Sequence, residues 1–149
     1  MTVREVTGRI PTIPDFPVEI VVGVHASEAN MTHGEGLTVG DIATIHEFGA
    51  PAANIPQRSF IRAWYDERQA FITSTLRTQA AQVAAGKRTL EQAAERIALA
   101  FEGDVKQRIL RNIPPPLTPA TIARKGSSLA LVDTGQLRNA IRAKVKVGK

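Results

Sequence analysis

Two long stretches of helical spacing, separated by one short joint, constrain this chain more than anything else in it. Between residues 60 and 85, Trp64, Phe71, Ile72, Leu76, Ala80 and Val83 recur at helical intervals. Between residues 89 and 112, Leu90, Ala94, Ile97, Phe101, Val105 and Ile109 form a second stripe with charged residues opposite. Gly86 divides the two, and Pro114-Pro115-Pro116 stops the second. So short a joint makes the helices antiparallel neighbours, and the spacing predicts a helical hairpin packed through Ala-rich surfaces. Aromatics are only 5% of the 149 residues, so the core around this hairpin must rest on Ala, Ile, Leu and Val.

The two ends of the chain supply strands. Residues 18–25 (Val18-Glu19-Ile20-Val21-Val22-Gly23-Val24-His25) are short, β-branched and preceded by Pro17. The near-continuous apolar run from Ile20 to Val24 predicts cover on both faces, or one face meeting another subunit. Residues 141–147 alternate apolar and basic, the pattern of a strand with one buried face. Pairing the two predicts an α+β fold, a small sheet packed on the hairpin. A chain of 149 residues suits a single domain with one core. Pro11, Pro14 and Pro17 spoil any period before the first strand. Residues 1–17 therefore read as an extended arm ordered by a partner, with a frayed terminus as the alternative.

Capping residues mark where helices begin. Thr38 with Asp41, and Thr89 with Gln92, have the capping-box form, and Asp133 stands three residues before Gln136. Thr118-Pro119 opens a further short helix. The helix after Thr38 runs through Ile42, Ile45 and Phe48, and Gly49 is expected to end it in the left-handed αL conformation, ahead of Pro51. An elbow spans the end of this helix and the start of the next: His46-Glu47-Phe48-Gly49-Ala50-Pro51, then Ile55-Pro56-Gln57-Arg58-Ser59-Phe60-Ile61-Arg62. It mixes exposed-looking charge (Glu47, Arg58, Arg62) with the aromatics Phe48, Phe60 and Trp64. Phe60 and Trp64 are read as core, while Phe48 stands between core and interface.

Chemistry finds little support. There is no cysteine, so disulfides, thiolate zinc sites and cysteine nucleophiles are excluded. His46-Glu47 begins like a zinc-protease motif, but the second histidine is replaced by Ala50, and His25 and His33 have no ligand spacing. Leu131-Val132-Asp133-Thr134-Gly135 resembles the catalytic loop of retroviral-type aspartic proteases, yet only residues 136–149 come after it and the preceding chain is mainly helical. Asp133 is better read as a helix cap. No catalytic residue, metal or cofactor is expected. No apolar run reaches the roughly 20 residues of a membrane span, and the N-terminus lacks a signal-peptide core, so assembly in the cytoplasm without a membrane partner is expected. The net charge of +5 favours a polyanionic neighbour. A basic nucleic-acid-associated module is the alternative reading, weakened by the shortage of stacking aromatics.

The elbow and the later block resemble the neck and tail-completion proteins of tailed bacteriophages, also described as virion-morphogenesis or minor tail proteins. The resemblance lies in His46-Glu47-Phe48-Gly49, in Ile55-Pro56-Gln57-Arg58-Ser59-Phe60-Ile61-Arg62, and in Leu117-Thr118-Pro119 through Lys125-Gly126. It continues in Leu131-Val132-Asp133-Thr134-Gly135-Gln136-Leu137-Arg138 and Ile141. Ser59 departs from the pattern, where a second proline or small residue is common. The resemblance implies a structural virion protein with no enzymatic activity. Its subunits would form a homo-oligomeric ring, a hexamer or dodecamer, at the head–tail junction or the head-proximal end of the tail. The implied partners are further copies and other neck, connector and tail proteins, with passive contact to genomic DNA in the channel. The ring contact would draw on Glu47, Phe48, Arg58, Arg62 and Arg138, a heterologous interface in which one face offers what the next receives.

If Asp133 caps a helix, Asp133→Ala should lower stability by about 0.5–2 kcal/mol in chemical denaturation. Unchanged stability with failed assembly would instead place Asp133 in an interface.

Overall fold

The computed structural model describes residues 17–33, 36–111, 113–126 and 135–148. In chain order, β1 (Val18–Val24) leads to a single helical turn α1 (Ala26–Ala29) and a minimal hairpin, β2 (Thr32–His33) with β3 (Leu37–Thr38). Then come α2 (Val39–Phe48), the elbow, α3 (Arg62–Glu67), α4 (Gln69–Ala84) and α5 (Leu90–Leu110). The chain closes with α6 (Pro119–Lys125), α7 (Gln136–Ala140) and β4 (Ile141–Val147). The fold is α+β, as the sequence predicts.

β1 and β4 pair antiparallel over their full length, with Ile20 opposite Val145, Val22 opposite Ala143 and Val24 opposite Ile141. The Gly148 amide donates to the Pro17 carbonyl at 2.9 Å and closes the end of the ladder. The strand period of two turns these apolar residues toward one side, where Ile20, Val22 and Val24 pack on the core. Arg142, Lys144 and Lys146 take the opposite side and are exposed. β1 contains no fully buried residue, so its expected two-sided cover is only partial. A two-stranded sheet lying on one layer of helix leaves the second face without a full layer.

α5 is the central element, packing on α4 and on both strands of the sheet. Ala93, Ala94, Ile97, Ala98, Phe101, Val105 and Ile109 are buried along its inner face. Phe60, Trp64, Leu137 and Ile141 complete the core around it. Trp64 meets Phe101 edge-on at 5.5 Å between ring centroids, a favoured aromatic geometry.

The predicted hairpin forms, and its first arm differs in detail. It begins at Arg62 and not at Phe60, and it is interrupted at Arg68, whose φ and ψ are −107° and 19°. The guanidinium of Arg68 is held across the hairpin by Asp104, with Nε–Oδ2 at 2.7 Å and Nη2–Oδ1 at 3.0 Å. Asp104 Oδ2 also accepts from Trp64 Nε1 at 2.8 Å. Further along, Leu76 is 44% exposed, so the apolar stripe of α4 is covered unevenly, with Phe71 and Ile72 half-buried near its start and Val83 buried near its end. Asp133 and residues 1–16 lie outside the described residues. α7 starts after Gly135, whose φ is 75°.

Asp104 thus fastens the junction of α3 and α4 to the middle of α5. Asp104→Ala strands the Trp64 N–H and the Arg68 guanidinium and should cost about 1–3 kcal/mol in urea denaturation. A loss below about 0.5 kcal/mol would mean that water replaces the carboxylate at no cost.

Candidate functional site

The elbow is closed by its own backbone. α2 starts at the Thr38 capping box, where Thr38 Oγ1 accepts from the Asp41 amide at 3.1 Å and Asp41 Oδ2 accepts from the Thr38 amide at 2.9 Å. It ends at Gly49 with φ 78° and ψ 168°, an extended positive-φ conformation and not the αL cap expected from sequence. This region is essentially restricted to glycine. A Cβ there would also stand 2.9 Å from the Gln57 amide nitrogen. Ala50 and Ile55 then exchange amide–carbonyl bonds at 2.9 and 3.0 Å, enclosing a single 3-10 turn at Pro51–Ala53. The returning chain satisfies the open C-terminus of α2. The Arg58 amide donates to the His46 carbonyl at 2.8 Å, and Gln57 Nε2 donates to the Glu47 carbonyl at 2.8 Å.

Glu47 does for α3 what a capping side chain normally does within one helix. Its Oε2 accepts from the Phe60 and Ile61 amides at 2.9 and 3.0 Å. Its Oε1 accepts from the Arg62 amide at 3.0 Å and from Ser59 Oγ at 2.7 Å. Ser59 Oγ in turn accepts from the Ala63 amide at 3.1 Å. One carboxylate on the last turn of α2 therefore ties down the amides that open α3, where negative charge is favoured. Burial alone would raise the Glu47 pKa. The Ile61 amide, the Ser59 hydroxyl and the Arg62 and Phe60 amides outweigh it and hold the carboxyl below the usual glutamate range.

The structure sorts the five expected interface residues into two groups. Of Glu47 and Arg58, taken from sequence as exposed charges, Glu47 is half-buried and Arg58 is buried. Glu47 has its oxygens engaged as described, and Arg58 is 5% exposed with Nε donating to the Pro115 carbonyl at 2.8 Å. Burial pulls the Arg58 pKa down, but a guanidinium stays charged at any ordinary pH. Phe48, by contrast, is 71% exposed. Arg62 is also exposed, its nearest carboxylate partner being Asp66 at 3.8 Å. Arg138 is half-buried on α7, which packs against α2. Phe60 and Trp64 are core, at 1% and 5% exposure. The caps at Thr38 and Thr89 form as expected, the latter with Gln92 at 3.1 and 3.2 Å.

Beside the elbow lies an open groove of about 770 Å³, lined chiefly by Val24, Ala43, Thr44, Phe48, Ile61 and Arg62. Asp41 and Glu47 also border it, each already accepting the bonds given above. Among the described residues no group of His, Asp and Glu is placed to hold a metal ion, and no helix is long and apolar enough to cross a membrane. His25 instead has Nε2 3.1 Å from the Arg142 carbonyl oxygen.

Sequence reasoning missed the partners of Glu47. The fourfold acceptor role has a signal, a glutamate on the last turn of a helix before a loop that returns to open a new helix, but the return path is set by tertiary structure. Ser59, the position that departs from the family pattern, is part of the lock. No family model, curated protein or solved structure matches the chain.

Because the Glu47 pKa is depressed by folding, its contribution is present above about pH 4.3 and is lost as the pH falls through the lower folded value. Glu47→Gln should cost about 1–3 kcal/mol at pH 7. The gap between wild type and variant should narrow steadily below about pH 4.3. A gap independent of pH in urea titrations would show that the charge is not what stabilises the elbow.

Proposed function

We propose that this chain is a non-enzymatic structural protein of a tailed-bacteriophage virion. In this reading it is a neck or tail-completion subunit that forms a ring at the head–tail junction or the head-proximal end of the tail. The observation that carries the reading is the Glu47 lock. The residues that bear the resemblance, Glu47, Gly49, Arg58 and Phe60, are those that build the elbow. A motif whose polar groups are consumed in fixing a corner is architectural. It sets the start of the helical hairpin relative to α2 and leaves Phe48 and Arg62 facing outward beside a groove.

On this reading Glu47 and Arg58 act by geometry, and Phe48 and Arg62 make the contact. The partners are further copies of the chain, as a hexamer or dodecamer, together with other neck, connector and tail proteins. Assembly takes place in the host cytoplasm and the product resides in the virion. Genomic DNA passing through such a ring would meet the cations of β4. That stripe is too well balanced to favour a dedicated nucleic-acid module. Lys146 lies 3.3 Å from Glu19 and Arg142 lies 3.9 Å from Glu102, which leaves Lys144 as the member without an ion pair among the described residues.

Light scattering of the purified chain without DNA should give the mass of six or twelve 16.1-kDa chains, or the chain should enter rings when mixed with purified neck particles. A persistent monomer that binds duplex DNA with a steep salt dependence would overturn the proposal.

A further inference from the structure

We propose that the outer edge of β1 is completed by β1 of a second copy of this chain, antiparallel, about a two-fold axis at Val21. This contact is separate from the ring contact, which lies at the elbow. The phase of the β1–β4 ladder decides which way the backbone groups of β1 point. The bond from the Gly148 amide to the Pro17 carbonyl turns the groups of Glu19, Val21 and Gly23 toward β4 and those of Val18, Ile20, Val22 and Val24 away from it. The Ala143 amide, opposite Val22, obeys the same phase on the other strand and points out of the sheet to Glu102. Among the described residues, no donor or acceptor meets the outward groups of Val18, Ile20, Val22 and Val24. A row of unpaired strand groups is a template for a further strand unless the protein guards it.

The two edges of the sheet differ in this respect. β4 is guarded: Glu102 takes up the Ala143 amide at 2.8 Å, and Arg142, Lys144 and Lys146 stand along the strand. β1 carries none of these devices. Between Val18 and Val24 its one charged residue is Glu19, which lies 3.3 Å from Lys146 of the same sheet, and the strand has no proline and no bulge. α5 and α7, the helices that pack most on β1, also touch β4, so they lie beneath the sheet or at its end and not along the outer edge of β1. At Val24 that edge runs out into the open groove.

The occupant is a second copy because this edge is complementary to itself. The register that uses all 7 residues sets Val18 opposite Val24, Ile20 opposite Val22, and Val21 opposite its own counterpart. Its hydrogen-bonded pairs are Val18 with Val24 and Ile20 with Val22, the residues whose groups point outward. On the core face, Ile20 and Val22 continue the apolar layer from one copy into the next. The opposite face carries Glu19, Arg142, Lys144 and Lys146, with Glu28 and Glu102 beside them. The new pairing sets none of these against a like charge. Glu19 meets Gly23, which has no side chain, and the two Glu19 residues stand about 14 Å apart. Lys144 flanks Val21 on the side away from the axis. Joining β4 to β4 in the same way would oppose Lys144 to Lys144, which is unfavourable. The product is a four-stranded antiparallel sheet in place of a marginal two-stranded one, through an isologous contact.

The native chain lacks cysteine, so an introduced thiol is unique. Val21 and its counterpart would form a non-hydrogen-bonded pair with Cα atoms about 4.5 Å apart, within the span of a disulfide. Full-length Val21→Cys is mildly oxidised and the linked peptides are identified by mass. Lys144→Cys is the control: it lies directly opposite Val21, is the more exposed of the two, and would be about 14 Å from its counterpart across the four strands. The Val21→Cys dimer should be at least about tenfold more abundant than the control dimer, reflecting a raised effective concentration. Val21→Glu gives a second readout. Within one chain the new carboxylate faces Lys144, but across the axis it faces another carboxylate. Light scattering should show self-association at least about tenfold weaker than in the native chain, and an equal mixture with Val21→Lys should recover it. No preference over the control, a dominant Lys144→Cys product, or undiminished association of Val21→Glu overturns the proposal. The size of the native chain tests the ring separately. A ring without selective linkage overturns the β1 pairing alone, selective linkage in simple dimers overturns the ring alone, and a monomer without linkage overturns both.

Discussion

One carboxylate holds the two halves of the fold in register. Glu47 ends α2 and, through the amides of Phe60, Ile61 and Arg62 and the hydroxyl of Ser59, also begins α3. Helix starts present amides that have no partner within the helix, and they are favourable places for negative charge. Supplying that charge from a different helix converts a local need into a long-range constraint. The loop between the helices then has one permitted path, which Gly49 allows by adopting φ 78° and ψ 168° next to the Gln57 amide. Phe60 enters the core directly behind the lock, and Trp64 lies one turn later.

From there the fold is organised by α5, whose inner face is apolar and whose flanking charged residues connect it to the α3–α4 region on one side and to β4 on the other. Asp104 reaches Trp64 and Arg68 near the α3–α4 junction. Arg108 forms a two-pronged ion pair with Glu67. Glu102 accepts from Lys106 and from the Ala143 amide of β4 at 2.8 Å. Exposed ion pairs contribute little singly, but the Asp104 and Glu102 contacts are partly covered by protein and share one helix, so they fix the hairpin and sheet against the same axis. The Ala143 contact also occupies one outward amide of β4, limiting what that edge offers to another strand.

The sequence was most legible where periodicity and short-range capping decide structure. The stripe from Ala94 to Ile109, the Thr38 and Thr89 boxes, and the alternation from Ile141 to Val147 each imply their element without reference to the rest of the chain. Legibility failed where a side chain's partner is set by the tertiary path. Glu47 and Arg58 have the look of surface charge in sequence, and only the returning loop and the Pro115 carbonyl reveal that both are engaged within the chain. The interruption at Arg68 was hidden for the same reason, since Asp104 lies 36 positions away. Gly49 was read correctly as a stop but in the wrong conformation, because the close approach of Gln57 is a tertiary fact.

The distribution of polar interactions is itself an argument about function. A catalytic pocket keeps some ionisable groups under-satisfied and aimed at a place where a substrate can sit. In this elbow the strongest acceptor, Glu47, is engaged by three backbone amides and the Ser59 hydroxyl. The buried cation, Arg58, is turned toward a carbonyl. What remains outward is an aromatic ring, a guanidinium and an apolar groove between them. Those are groups of the kind that carry protein contacts, in which aromatic and arginine anchors dominate the energy. On the proposed reading, a rigid corner that consumes its own polar groups and presents anchors at fixed positions would limit the looseness that otherwise accumulates over every copy in a ring.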